Sequence, residues 1–301
     1  MHVVIAGSSG FLGTHLRAEL ERRGHRTTAL VRRPASGSGE STWDPGAGTL
    51  DRDVVASADV VVNLAGSPTL GNPHSQRWAH ELEQSRVRTT QVLARAVAEC
   101  AGGGRPPAFL AGNGISYYGD HGDQELSEVS DSRGQALLTR VTRVWQAAAQ
   151  PAIDAGARVV VLRTAPVMDR RAAPLRQLLP LFRAGLGARL GDGRQHMPMC
   201  SLRDWVGGVV HAAEHPDLDG PINLTCPEPP TNAEFTRELA AQLHRPALAF
   251  VPGPLLRLGA GAMAPELLGS LNVRPARLLD SGYEFHDPDV AAVLATGLAA
   301  S

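Results

Sequence analysis

The 301-residue sequence predicts an α/β fold, a doubly wound parallel sheet followed by a smaller C-terminal region. Three observations lead there. Short apolar runs rich in β-branched residues recur along the first half, as expected of strands buried on both faces. Stretches with helical apolar spacing alternate with them. Three glycines at 7, 10 and 13 join the first run to the first helical stretch.

Residues 2–6 (HVVIA) form the first strand and residues 14–23 the first helix, with Leu16 and Leu20 four apart. Gly24 and His25 end that helix, and residues 27–31 (TTALV) read as the second strand. A strand, a glycine turn, a helix and a strand within about thirty residues are the context of a dinucleotide site. Gly7 allows a tight turn, Gly10 lets a pyrophosphate approach the backbone, and Gly13 lets the helix lie close to the strand. Phe11 and Leu12, between the last two glycines, belong to the same candidate site. The second strand ends in Val31-Arg32-Arg33-Pro34 with no acid nearby. An acid there would hold the ribose hydroxyls of NAD, whereas a guanidinium suits a 2′-phosphate. Arg32 therefore favours NADP(H), unless it simply faces solvent, as Arg33 is expected to do.

Residues 59–64 (DVVVNL) form another buried strand and run into Ala65 and Gly66. Small residues at that strand end let an adenine and its ribose lie against the backbone, and Asn63 can brace the turn. Residues 76–98 are helical and carry Glu81, Arg86, Thr89 and Thr90. The next strand is 108–112, followed by Asn113-Gly-Ile-Ser116-Tyr117-Tyr118-Gly119-Asp120. A helix at 135–149, a strand at 158–163 (RVVVLR), a helix at 174–186 and a late strand at 223–225 complete the reading. Thr231-Asn-Ala-Glu234 spells a helix capping box. The implied organisation is a dinucleotide-binding domain at 1–167. Residues 168–301 are mainly substrate-binding, with some elements returning to the core.

Composition narrows the chemistry. All 29 basic residues counted as Lys+Arg are arginines, so no Schiff-base lysine and no P-loop lysine exists. A net charge of −1 provides no general attraction to nucleic acid or anionic lipid. No apolar run approaches a membrane span. The three cysteines, Cys100, Cys200 and Cys226, have no metal-ligand spacing, and the histidines form no ligand grouping, so no metal is expected. The chain opens directly on a strand without a charged leader, and reduced thiols are the default, so a cytoplasmic location is expected. The expected partner is a small-molecule substrate, and the chain is expected to be a monomer or a homodimer.

The order GSSGFLG, LVRRP, NLAG, SRVRTTQVL, YYGD, LRTAPVM, GDGRQHMP and GPINLTCPEPPTNAEF resembles the atypical short-chain dehydrogenase/reductase group. That group is often labelled epimerase family, or nucleoside-diphosphate-sugar epimerase-like, and includes the SDR39U1-type proteins. The segment from Pro252 onward resembles the extra C-terminal segment of the same group. The resemblance implies a Rossmann fold of the short-chain dehydrogenase type. It also implies cofactor contacts from Arg32, Leu64, Ala65, Glu81, Arg86 and Val167.

It further implies where catalysis should reside, and there the chain departs from the pattern. The hydroxyl position after the fifth strand falls on Gly114, with Ser116 two residues away. On the helix that should carry Tyr-x-x-x-Lys, Trp145 as anchor puts Ala136 at the tyrosine and Arg140 at the lysine. Two readings follow. Tyr117 or Tyr118, supported by Ser116 and Asp120, supplies an alternative acid in an NADP-dependent oxidoreductase or epimerase-like enzyme. Alternatively, those residues only pack a loop, and the chain is a non-catalytic NADP(H)-binding sensor or regulatory protein. In the sugar-nucleotide epimerases an equivalent basic loop grips a diphosphate. Arg189, Arg194 and Gln195 would do so here, ahead of a helix begun by Asp204 and Trp205, unless the loop arginines face solvent.

Overall fold

The computed structural model describes residues 1–69 and 71–300. In chain order it begins β1 (His2–Ala6), α1 (Phe11–Arg22), β2 (Arg26–Val31), β3 (Glu40–Asp44), β4 (Thr49–Leu50), α2 (Arg52–Ala56), β5 (Val60–Asn63) and α3 (Gln76–Cys100). The middle is β6 (Ala108–Gly114), β7 (Glu125–Leu126), α4 (Leu137–Ala147), α5 (Gln150–Asp154), β8 (Val159–Thr164), α6 (Leu175–Arg183), β9 (Ala188–Leu190) and α7 (Leu202–Glu214). It closes with β10 (Gly220–Leu224), α8 (Asn232–Gln242), β11 (Ala249–Val251), α9 (Gly253–Ala260), α10 (Ala264–Leu268), β12 (Asn272–Val273), α11 (Ala276–Asp280) and α12 (Val290–Ala299).

Eight strands form one sheet in the order β10-β8-β6-β5-β1-β2-β3-β4. β1 pairs in parallel with both β2 and β5, so the winding direction reverses at β1. In such sheets ligands bind beyond the strand ends at the reversal. The expected strands and long helices are present, with ends shifted by a few residues. β3 and β4 were not foreseen. In β3 only Ser41 and Trp43 turn inward, between exposed Thr42 and Asp44. A single Trp amid polar residues carries no apolar run, yet it fills the core beside the sheet.

Packing divides the chain into two units that interleave along the sequence. The first comprises Met1–Asn113, Val141–Leu162 and Val209–Pro221. Its core joins Val4, Val61 and Phe109 of the sheet to Leu93, Ala94 and Val97 of α3. The apolar runs are buried on both faces because helices cover the sheet, which is why they do not alternate.

The second unit comprises Gly114–Arg140, Arg163–Gly208 and the residues from 222 onward. Leu175, Leu179 and Phe182 of α6, Phe235 and Leu239 of α8, and Val293 and Leu294 of α12 share one core. Thr231 and Glu234 form both halves of the expected capping box at the start of α8. Two short parallel pairs, β9 with β11 and β7 with β12, tie the C-terminal segment into this unit. Among the described residues no helix is long and apolar enough to cross a membrane.

Phe109 is fully buried in β6. Phe109→Ala is expected to cost about 3–5 kcal/mol in denaturant unfolding, the usual range for an aromatic core truncation. A loss below about 1 kcal/mol would mean that this strand does not anchor the first unit's core.

Candidate functional site

The glycine turn between β1 and α1 is built by close backbone approach. Gly7 has φ +82°, and a Cβ there would sit 2.7 Å from the Leu64 carbonyl carbon and 2.8 Å from the Ala65 nitrogen. A Cβ on Gly13 would overlap the Gly7 carbonyl oxygen. Gly10 is the N-cap of α1 and offers no side-chain cap, and no acid lies in the first turn. The start of α1 thus presents its positive dipole end with neither a side-chain cap nor an acid beside it, a setting that favours an anionic ligand. Exposed Gly10 and half-buried Phe11 and Leu12 line this turn, whereas Gly13 is buried. A cradle that any side chain would fill, facing an uncapped helix, fits a dinucleotide pyrophosphate.

The turn after β5 forms the opposite wall. The Asn63 carboxamide oxygen accepts from the Ala65 N–H at 3.1 Å, and its nitrogen donates to Thr90 Oγ1 at 2.9 Å. Thr89 Oγ1 donates to the Ala65 carbonyl at 3.1 Å. The Trp145 indole N–H donates to Thr90 at 2.9 Å. These bonds hold Leu64, Ala65 and Gly66 against α3, a bracing whose sequence signals were Asn63 and the hydroxyls of Thr89 and Thr90.

Arg86 is the unusual member of this wall. It is 9 % exposed, its guanidinium lies 5.1 Å from the centre of the Trp145 ring, and it donates to the Leu82 carbonyl and to Thr69 Oγ1. Among the described residues no carboxylate pairs with it. Burial alone lowers its pKa to about 10, so it stays charged at neutral pH. A buried cation without a counter-ion is costly unless a ligand supplies the charge. Glu81 stands exposed on the same helix.

The two arginines after β2 differ in state. Arg33 donates to Glu40 at 2.8 Å and holds that carboxyl down to about 2. Among the described residues exposed Arg32 makes no such pair, and its guanidinium is open to a ligand. The pairing of Arg33 was hidden because Glu40 lies in the unforeseen β3.

The other candidates lie in the second unit. Val167 is buried and forms a parallel bridge with Cys200. Tyr118 is fully buried, donating to Asn223 Oδ1 at 2.7 Å and accepting from Arg163 at 2.8 Å. Burial raises its pKa to about 12. Tyr117 is half-buried, with the Arg163 guanidinium stacked 3.7 Å from its ring centre. Buried Glu128 completes this cluster by accepting from the Asn223 N–H at 3.0 Å. Tyr118 is thus locked in a buried network, and Tyr117 alone of the pair keeps solvent access. Sequence reasoning missed Arg163, Glu128 and Asn223. The one available signal was a charge ending the apolar run of β8.

Ser116 hydrogen-bonds the carboxyl of Glu266, and Ala136 and Glu266 line a cleft of about 510 Å³ together with Asp120, Arg133, Thr139 and Arg257. Arg140 is exposed. Of the expected gripping loop, Arg189 and Arg194 are exposed, while Gln195 donates to the Leu190 and Leu267 carbonyls and so braces the backbone instead. Asp204 is buried and accepts from the His286 and Asp287 amides, and the Trp205 indole donates to Thr164; both residues are structural.

The sheet order and the glycine cradle define a Rossmann fold of the short-chain dehydrogenase type. The chain belongs to the NAD dependent epimerase/dehydratase family, which matches residues 3–224. A domain of unknown function, DUF1731, matches residues 251–296. The chain is 37 % identical to an epimerase family protein of Mycobacterium leprae, over 97 % of this chain and 94 % of that one. It is 34 % identical to the Homo sapiens epimerase family protein SDR39U1 over 98 % of both. The crystal structure of human SDR39U1 (isoform 2) with NADPH has a TM-score of 0.85 and 31 % identity, covering 99 % of this chain and 100 % of that one.

Tyr118→Phe is expected to remove a step at about 12 from a tyrosinate absorbance titration, against about 10 for an ordinary phenol. The folded-state pKa lies above the unfolded one, so the folded state holds its proton longer. Stability therefore falls as pH rises from about 10 towards 12. That fall should shrink in the variant, and an unchanged alkaline melting profile would count against the buried phenol.

Proposed function

We propose that the protein binds NADP(H) in the cradle of its first unit and acts as an oxidoreductase or epimerase-like enzyme on a small-molecule substrate. The observation that carries the reading is the glycine cradle at the sheet reversal, where backbone meets backbone too closely for any side chain. Gly7, Gly10 and Gly13 with the α1 N-terminus would hold the pyrophosphate. Leu64, Ala65 and Gly66 would lie along the adenosine half, and Arg32 would take the 2′-phosphate. Buried Arg86 supplies a fixed positive charge beside the same wall. The NADPH bound to human SDR39U1 supports the choice of NADP(H) over NAD(H). When bound, the nicotinamide supplies a site for hydride transfer.

A second reading, a non-catalytic NADP(H)-binding protein, is favoured by one observation. On the family resemblance, with Trp145 as anchor, Ala136 and Arg140 take the positions of a proton-relaying tyrosine and lysine, and arginine stays protonated throughout the working pH range. NADPH absorbance followed against a panel of carbonyl compounds separates the two readings, because turnover of any member excludes the binder.

Calorimetric titration with NADPH and NADH tests the cofactor. NADPH is expected to bind at least tenfold tighter, and Arg32→Ala should lose about 10- to 100-fold of NADPH affinity while leaving NADH affinity unchanged. That range is the worth of a charge-assisted hydrogen bond, about 1.5–3 kcal/mol. Equal affinities for the two cofactors, or binding of neither, would refute the reading.

A further inference from the structure

Within the first unit, folding returns an acid to the strand end that looked free of one in the sequence. β3 pairs in parallel with β2, placing Glu40 beside Ala29 and Thr42 beside Val31. Two terminal guanidinium nitrogens of Arg33 donate to the Glu40 carboxyl at 2.8 and 2.5 Å, as a fork. Ser36 adds its amide at 2.9 Å and its hydroxyl at 2.7 Å. The backbone around the fork is tied as well. The Ala35 amide donates to Thr42 Oγ1 at 2.9 Å, and that hydroxyl donates to the Arg33 carbonyl at 3.2 Å. Asp44, the other carboxylate of β3, accepts from the Gly46 and Ala47 amides of its own turn.

An acid near the end of the second strand of a Rossmann fold holds the ribose hydroxyls of NAD, and its charge repels a 2′-phosphate. Glu40 has the chemistry for that role, and the Arg33 fork withdraws it. The carboxyl oxygens are occupied, and their charge is matched by a planar guanidinium whose shape fits a carboxylate. The side chains are 56 % exposed for Arg33 and 17 % for Glu40, so the pair adds little to stability. What it fixes is the place of two charges, one position along the chain from Arg32.

We propose that Arg33 and Glu40 form a lock that sets cofactor preference. Arg33 is a positioning residue that touches no phosphate; it neutralises Glu40 and turns it aside, leaving the 2′-phosphate to Arg32. That assignment rests on the reading of Arg32 as the 2′-phosphate ligand of NADP(H). A pair that only braced the loop after β2 would, when broken, weaken NADPH and NADH alike, because both need the glycine cradle. A second phosphate ligand at Arg33 would leave a loss that no change at Glu40 repairs.

Calorimetric titration with NADPH and NADH, on the full-length wild type, Arg33→Ala, Glu40→Gln and the double variant, tests the lock. Arg33→Ala unmasks the carboxylate, so NADPH affinity should fall about three- to tenfold, the scale of one charge interaction near a surface, while NADH affinity holds or rises. Glu40→Gln keeps an acceptor for Ser36 and should bind NADPH at least as tightly as the wild type. The double variant, like the wild type, carries no net charge at the pair and should bind NADPH as the wild type does. All four should melt within a few degrees of one another. Independently of any cofactor, carbon-13 NMR should find the Glu40 carboxyl, held down to about 2 chiefly by the Arg33 fork, nearer its ordinary value in Arg33→Ala. An Arg33→Ala protein with the wild-type ratio of NADPH to NADH affinity overturns the proposal. So does an equal loss for both cofactors, a double variant as weak as Arg33→Ala, or an unmoved Glu40 titration. A wild type that binds neither cofactor, or both equally, defeats the cofactor reading and the lock with it, a result that the wild-type titration alone gives.

Discussion

The first unit depends on one steric constraint, the contact of backbone with backbone where β1 and β5 end. Gly7 lies so close to Leu64 and Ala65 that a Cβ has no room, and Gly13 lies equally close to Gly7. These approaches bring the start of α1 up to the sheet reversal and leave its first N–H groups without a side-chain cap. The bonds from Asn63 and Thr89 to the residue 65 backbone hold the second side of the same gap. A helix dipole and helix-terminal amides can favour an anion only where no side chain intrudes.

Charge placement is the second theme. Among the described residues no carboxylate pairs with buried Arg86, and Trp145 and two oxygen acceptors soften the cost. In the second unit, Arg163 is buried among Tyr117, Tyr118 and the backbone of Glu128. Within a low dielectric such arrangements are rigid, because breaking one bond strands the others. Tyr118 is held in place by this network rather than made available for proton transfer.

The legibility of these features in the sequence followed their range along the chain. The glycine turn, the apolar strands and the α8 capping box depend on neighbours a few residues apart, and they are where the sequence put them. β3 was missed because its inward residues are Ser41 and Trp43, which make no apolar run. The Arg33 pair with Glu40 went unseen with it, although it leaves Arg32 as the open guanidinium. Gln195 looked like a ligand-gripping residue, but its amide is engaged by two backbone carbonyls. Glu266 carried no motif, since its partners Ser116, Leu138 and Thr139 lie far away in the chain.

The sequence by itself determined the fold class and the glycine cradle. Those are matters of residue type and short spacing, where steric and chemical requirements can be read directly. Only the tertiary structure decided which polar groups are buried and what they face. It closed Tyr118 into a network, isolated the Arg86 charge, and carried a C-terminal carboxylate to the start of α4. The reason is physical: desolvation and hydrogen bonding depend on atoms brought together from distant segments, and local pattern holds no record of them.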